Sequence, residues 1–127
     1  MNTDAARMWI YIAGPYSQPN PVVNAREACL MYDRIRNSAP PALVICPHWS
    51  MTQEMVKPKP HEYWMEHDLR LIRTLYASEL PGCIFRIGGD SEGADMETEL
   101  AGDLGIPVYR NFATMMLWAA SIMQETK

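Results

Sequence analysis

Asp90-Ser91-Glu92-Gly93-Ala94-Asp95-Met96-Glu97-Thr98-Glu99-Leu100-Ala101-Gly102-Asp103-Leu104-Gly105-Ile106-Pro107-Val108 reads as a loop, a short helix, a glycine stop and the start of a buried strand. Helical steps of three and four residues return to one face, so Ala94, Glu97, Ala101 and Leu104 form a single stripe. Glu92, Glu99 and Asp103 fall on other faces, where water can hydrate them. The stripe is apolar except for Glu97. An inward carboxylate one or two turns after a loop is a poor choice for stability alone and a sensible one for a nucleophile or a ligand-binding group. The alternative is a glutamate at the margin of the stripe that reaches solvent or a partner.

Outward from this segment the pattern alternates strand and helix. Gly82-Cys83-Ile84-Phe85-Arg86 is a strand just before it, with Gly88-Gly89 opening the loop, and Pro107-Val108-Tyr109 is the strand after it. Met8-Trp9-Ile10-Tyr11-Ile12-Ala13 is a short apolar run stopped by Gly14-Pro15, as expected for a buried strand. Asn20-Pro21 opens a helix to about Ser38, with Ala25, Ala28, Tyr32 and Ile35 on one face. Ala42 to Cys46 is a further strand, ended by Pro47. His48 to Pro60 shows no clear period and is read as a long loop, a frequent place for a lid. A helix from about His61 to Tyr76 carries Trp64, Asp68, Leu71 and Leu75 along one face. A last helix spans Phe112 to Glu125. These alternations predict an α/β fold with an open, Rossmann-like parallel sheet of four to five strands and helices on both faces. Ligands bind such sheets beyond the carboxyl ends of the strands, which directs attention to the loops after Ala13, Cys46 and Arg86.

A chain of 127 residues is one domain, 1–127, by length, and is large enough for a core. Its net charge of −4, with scattered basic residues, argues against a duplex nucleic-acid surface and leaves a nucleotide-sized ligand open. Cys29, Cys46 and Cys83 are odd in number and sit in apolar surroundings, which is simplest for buried, reduced thiols in a cytoplasmic protein. The polar stretch Met1 to Ala6 and the short apolar run after it predict neither a targeting signal nor a membrane span. In the last helix, Phe112, Met115, Met116, Ala119 and Met123 face one way, and Leu117, Trp118 and Ile122 widen that face. An apolar surface this broad predicts a homo-oligomer.

Three segments are expected to converge on the sheet edge: Tyr11-Ile12-Ala13-Gly14-Pro15-Tyr16-Ser17, then Glu66-His67-Asp68-Leu69, then Ser91 to Glu97. With Ser91, Glu97 six residues on, Ala101 four further and the ending Gly105-Ile106-Pro107-Val108, the chain resembles the nucleoside 2-deoxyribosyltransferase and deoxynucleotide N-hydrolase superfamily. It is most similar to the small members that begin with Tyr-Ile-Ala-Gly-Pro. The resemblance covers roughly Trp9 to Tyr109. It implies Glu97 as a nucleophile at the anomeric carbon, Tyr11 orienting the Glu97 carboxylate, and Asp68 helping the leaving base depart. It also implies Ser91 contacting a sugar hydroxyl or a phosphate. Gly14, Pro15, Ser17, His48 and Gly93 complete the expected substrate-binding set, with His48-Trp49 placing an aromatic where a base could stack. The chemistry suits these roles, because N-glycosidic cleavage passes through an oxocarbenium-like state that a carboxylate can stabilise or capture. The departing base needs a proton, for which a carboxyl group of raised pKa is suited.

Other readings of these residues are structural. Asp68 could sit at the edge of its face and reach water, although no basic residue lies three or four positions away. Tyr11 could be a core tyrosine with a satisfied hydroxyl. The residues after Gly14 are Pro15, Tyr16, Ser17 and Gln18, where the deoxynucleotide hydrolases carry a phosphate-binding arginine. Ser17 and backbone N–H groups at a helix start remain for an anion. No metal or cofactor is expected. Met65 stands where a zinc-protease motif beginning His61-Glu62 needs its second histidine, and His48, His61 and His67 lack metal-ligand spacing. The expected partner is a small nucleoside or nucleotide, bound either by an enzyme or by a non-catalytic binding or sensing module on the same fold.

Overall fold

Alternation along the first strand, β1 (Met8–Ala13), sends Met8, Ile10 and Ile12 into one core and Trp9, Tyr11 and Ala13 into another. All six residues are buried, so β1 is central in its sheet. The computed structural model describes residues 4–125; residues 1–3, part of the polar N-terminal stretch, and residues 126–127 lie outside the described region. β1 is followed by α1 (Pro21–Ser38), β2 (Ala42–Ile45), a 3-10 turn (Pro47–Trp49), α2 (Ser50–Val56) and α3 (His61–Ala77). Then come β3 (Gly82–Arg86), α4 (Glu92–Leu104), β4 (Val108–Tyr109) and α5 (Phe112–Glu125).

The four strands pair in parallel in the order β2-β1-β3-β4. The chain steps from β1 to β2 in one direction, then crosses back over β1 to reach β3 and β4. Right-handed crossovers in opposite directions put their helices on opposite faces. Accordingly, Ala28 and Ile35 of α1 share a core with Met115, Ala119 and Ile122 of α5. Ile72 of α3 shares the other core with Ala94 and Ala101 of α4. The order in which strands are added reverses at β1, so a crevice opens beyond the carboxyl ends of β1 and β3.

Local sequence sets the helix ends that frame this crevice. The Asn20 side chain accepts from the Val22 and Val23 N–H groups at 2.9 and 3.1 Å, with Pro21 in the first turn. Ser91 caps α4 by accepting from the Ala94 N–H at 3.1 Å. Glu92 and Asp95 in that first turn complement the helix dipole. Gly105 ends α4 in the left-handed conformation, φ 76°, where a side chain would be strained. At the base of the sheet Gly82 faces Trp9 across the β1–β3 register, and a Cβ there would lie 1.8 Å from the indole.

Two expectations are corrected. The stretch from His48 to Pro60 is not a long loop, since it holds the 3-10 turn and α2. That helix buries none of its residues, with Met55 and Val56 78% and 77% exposed, so its sequence carries no amphipathic period to read. Cys46 and Cys83 are buried, but Cys29 of α1 is exposed. The broad apolar face of α5 is largely consumed within the chain. Ile122 enters the core and Trp118 packs on it beside Tyr109, leaving Leu117 as the mostly exposed member at 75%. Among the described residues, no helix is long and apolar enough to cross a membrane.

Candidate active site

Glu97 is 5% exposed, on the face of α4 that packs against the sheet between Ala94 and Ala101. Tyr11 points to the same face because it alternates with Ile10 and Ile12 along β1. Its hydroxyl donates to Oε2 of Glu97. Burial pushes the Tyr11 phenol well above its ordinary value, aided by the charges of Glu97 and Asp68, so it keeps its proton and remains a donor. Burial also raises the Glu97 carboxyl, to about 8; the Tyr11 hydrogen bond opposes this, the Asp68 charge adds to it and the Arg86 charge opposes it.

Asp68 comes from the middle of α3, on the side facing α4. Its carboxyl is raised by burial, against the lowering effect of His67, whose Nδ1 lies 3.2 Å from Oδ1. The partner that helical spacing could not supply is thus the adjacent residue. Glu97 and Asp68 both line a cavity of about 690 Å³ at the carboxyl ends of β1 and β3. Both carboxyl groups favour protonation relative to free carboxylates, and the Asp68 charge helps to keep the proton on Glu97.

The expected binding residues divide by position. Gly14, Ser17, His48, Ser91 and Gly93 all line the cavity. Pro15 does not; it borders a smaller void on the far side of the loop, and its carbonyl accepts from Nε2 of His48 at 2.8 Å. A carbonyl can only accept, so the His48 proton sits on Nε2 and Nδ1 is left bare and buried. Burial lowers the His48 pKa, with the Pro15 carbonyl opposing, so this imidazole is neutral and pins the β2 end to the β1 loop. Ser91 spends its lone pair capping α4, and its hydroxyl proton remains available to a ligand. Gly93 faces α3 closely, since a Cβ there would lie 2.9 Å from the Met65 sulfur.

Two groups of functional residues are not evident from sequence pattern. Arg86, 4% exposed, ends β3 and donates to the Ile87 and Gly89 carbonyls and, at 3.2 Å, to Asp95. It thereby braces the loop that delivers Ser91 and places a buried cation near Glu97. Gly89 adopts φ 118°, and a Cβ there would sit 2.8 Å from Pro15, so this loop and the β1 loop meet through a glycine. A cation closing an apolar strand before Gly-Gly was the available signal. The second group is Glu54 with Trp64: Oε1 of Glu54 accepts from the indole N–H and, at 3.0 Å, from the Lys59 backbone N–H. This ties α2 to α3 across the cavity wall.

Among the described residues, no cluster of three or more His, Cys, Asp or Glu side chains is placed to hold a metal ion. No known protein family, curated protein or solved structure matches the chain. The functional reading therefore rests on the geometry.

Proposed function

We propose that this chain is an enzyme that cleaves or exchanges the N-glycosidic bond of a small nucleoside or nucleotide, with Glu97 as nucleophile. The observation that carries the reading is a buried glutamate held by the Tyr11 hydroxyl in a cavity shared with Asp68. A volume near 690 Å³ falls in the range of small-molecule sites and accommodates a sugar with a base.

In the proposed reaction a Glu97 oxygen attacks the anomeric carbon as the bond to the base nitrogen breaks. The electron pair of that bond leaves with the base, and Asp68 supplies a proton to it. The product is a glycosyl ester on Glu97. Water, or a second base, then attacks the same carbon as its bond to Glu97 breaks; the attacking group gives its proton to the Asp68 carboxylate, and Glu97 returns as a carboxylate. Tyr11 donates to Oε2 throughout, fixing the carboxyl rotamer. His48 holds the wall formed by the β1 loop, and the Ser91 hydroxyl faces the sugar. Cytoplasmic residence accords with the buried thiols of Cys46 and Cys83.

The raised pKa of Glu97 also favours a second reading, a binding module in which a neutral Glu97 donates a hydrogen bond to a retained ligand. Incubation with ribo- and deoxyribonucleosides and their monophosphates, with and without a second free base, separates the two. Base release or exchange by the wild type, lost by orders of magnitude in Glu97→Gln, supports the enzyme. Tight binding that survives Glu97→Gln with no base released supports the module and refutes the enzyme.

A further inference from the structure

We infer that the site takes an uncharged nucleoside whose base carries an exocyclic amino group, read by Glu54, and that it disfavours 5′-phosphorylated forms. The inference rests on the glycosidase reading and deepens it. Glu54 reaches the cavity wall from α2, an element with no buried residue to hold it, and is fixed instead through its carboxylate. Oε1 is fully occupied by the Trp64 indole and the Lys59 backbone N–H, while Oε2 has no hydrogen-bond partner among the described residues. Tyr16, from the β1 loop, lines the same cavity as Glu54, and burial and then the Glu54 charge raise its phenol. Trp64 is held edge-on between Tyr63 and His67, at interplanar angles of 87° and 79°, and forms the apolar side of the same wall. An oriented carboxylate oxygen beside an indole suits a flat ring with an N–H₂ edge: adenine and cytosine present a donor where hypoxanthine and uracil present a carbonyl oxygen.

The charge inventory points the same way. Glu54, Asp90 and Glu92 line the cavity beside Asp68 and Glu97, whose carboxyl groups burial shifts toward the neutral form. The basic side chains on the lining are Lys59, His61 and a neutral His48. The Lys59 ammonium lies over the Tyr63 ring, 5.3 Å from its centroid. Arg86 is buried and committed to the Ile87 and Gly89 carbonyls and to Asp95. A phosphate would enter beside carboxylates with no free guanidinium to pair with, whereas sugar hydroxyls can donate to those same oxygens.

The test compares adenosine with inosine and cytidine with uridine, in ribo and 2′-deoxyribo forms, together with the 5′-monophosphates of the amino members. Base release gives kcat/KM for the wild type, and calorimetric binding to Glu97→Gln reads the same ligands without turnover. The amino member of each pair should exceed its oxo counterpart by about tenfold, the usual scale for leaving a site acceptor facing a ligand acceptor. Each monophosphate should fall about as far below its nucleoside. Glu54→Gln keeps an oxygen for Trp64 and Lys59 and turns an N–H₂ toward the ligand, so the amino-to-oxo ratio should fall to one or below. Equal use of amino and oxo bases, preference for monophosphates, or a ratio unmoved in folded Glu54→Gln overturns this inference while the glycosidase reading stands. The wild-type ratios decide the matter even if that variant fails to fold. Silence of the wild type, with no binding to Glu97→Gln across the panel, overturns both.

Discussion

Glu97→Gln should make the protein more stable at alkaline pH while abolishing its chemistry. The Glu97 carboxyl sits at about 8 in the folded chain against 4.5 for the ordinary side chain, chiefly because burial penalises its charge. The folded state therefore binds this proton more tightly than the unfolded state does. The corresponding stability is fully present below pH 4.5 and is lost as pH rises toward about 8. That span of roughly 3.5 pH units, at ~1.4 kcal/mol per unit, makes a loss on the order of 5 kcal/mol. Set against the roughly 5–15 kcal/mol of a typical domain, the effect is large. Glutamine accepts from Tyr11 as the glutamate does but does not ionise, so its cost or gain is the same at every pH. Urea denaturation of both proteins at 25 °C, from pH 5 to pH 8.5, measures the difference directly. Subtracting one curve from the other removes His48 and the other groups that do not interact with Glu97, and leaves the titration of Glu97 with its neighbour Asp68. The variant should gain several kcal/mol on the wild type across this range. A difference that stays flat within about 1 kcal/mol would mean that Glu97 is hydrated, and would refute the buried-carboxyl argument on which the site rests.

Other substitutions test single links. Asp68→Asn should lower turnover by ~10²–10⁴-fold, the usual span of a general acid. It should also remove the alkaline fall in rate that loss of the Asp68 proton produces in the wild type; matching pH–rate profiles would exclude Asp68 as the proton source. Tyr11→Phe removes the hydrogen bond that lowers the Glu97 pKa, so the pH at which stability is lost should move upward, measured by the same urea series. Ser91→Ala should cost ~1 kcal/mol of stability through loss of the α4 cap, with a further drop in kcat/KM if the hydroxyl meets the sugar. Gly82→Ala should cost roughly 1–3 kcal/mol or more in denaturant midpoint, since its Cβ would fall 1.8 Å from the Trp9 indole.

The features legible in the sequence are those encoded by period and punctuation. Proline and glycine stops bound β1 and β2, Asn20 and Ser91 mark helix starts, and the three-to-four spacing of Ala94, Glu97 and Ala101 puts Glu97 inside. Strand alternation then brings Tyr11 to the face that α4 covers, a consequence of topology that pattern alone does not state. α2 escaped because a helix that buries nothing has no apolar period, and its position is set by the Glu54–Trp64 contact instead. Arg86 escaped because a strand-end arginine usually reaches water, and only the path of the Gly88–Gly89 loop closes over it. The breadth of apolar surface on α5 was visible, but whether this chain or another covers it depends on where Tyr109 and the sheet lie.

For Glu97 to act as the proposed nucleophile, a carboxyl group that prefers its proton needs a physical reason to be effective, and the arrangement around it offers one. With its carboxyl at about 8, Glu97 is mostly neutral at pH 7, and ionising it there costs about 1.4 kcal/mol. A carboxylate about 4 Å from a developing oxocarbenium gains roughly 4 kcal/mol at an effective dielectric constant near 20, and more as the ligand excludes water. The gain therefore exceeds the cost, and it exists only when positive charge appears on the sugar. The uncharged ground-state substrate proposed for this site receives almost none of it. The burial that depresses ionisation in the empty site thus makes the carboxylate discriminate between substrate and transition state, which is the requirement for raising kcat rather than tightening binding. Tyr11 and Arg86 keep the ionisation cost small enough for this to hold, and without them desolvation alone would hold the carboxyl still higher.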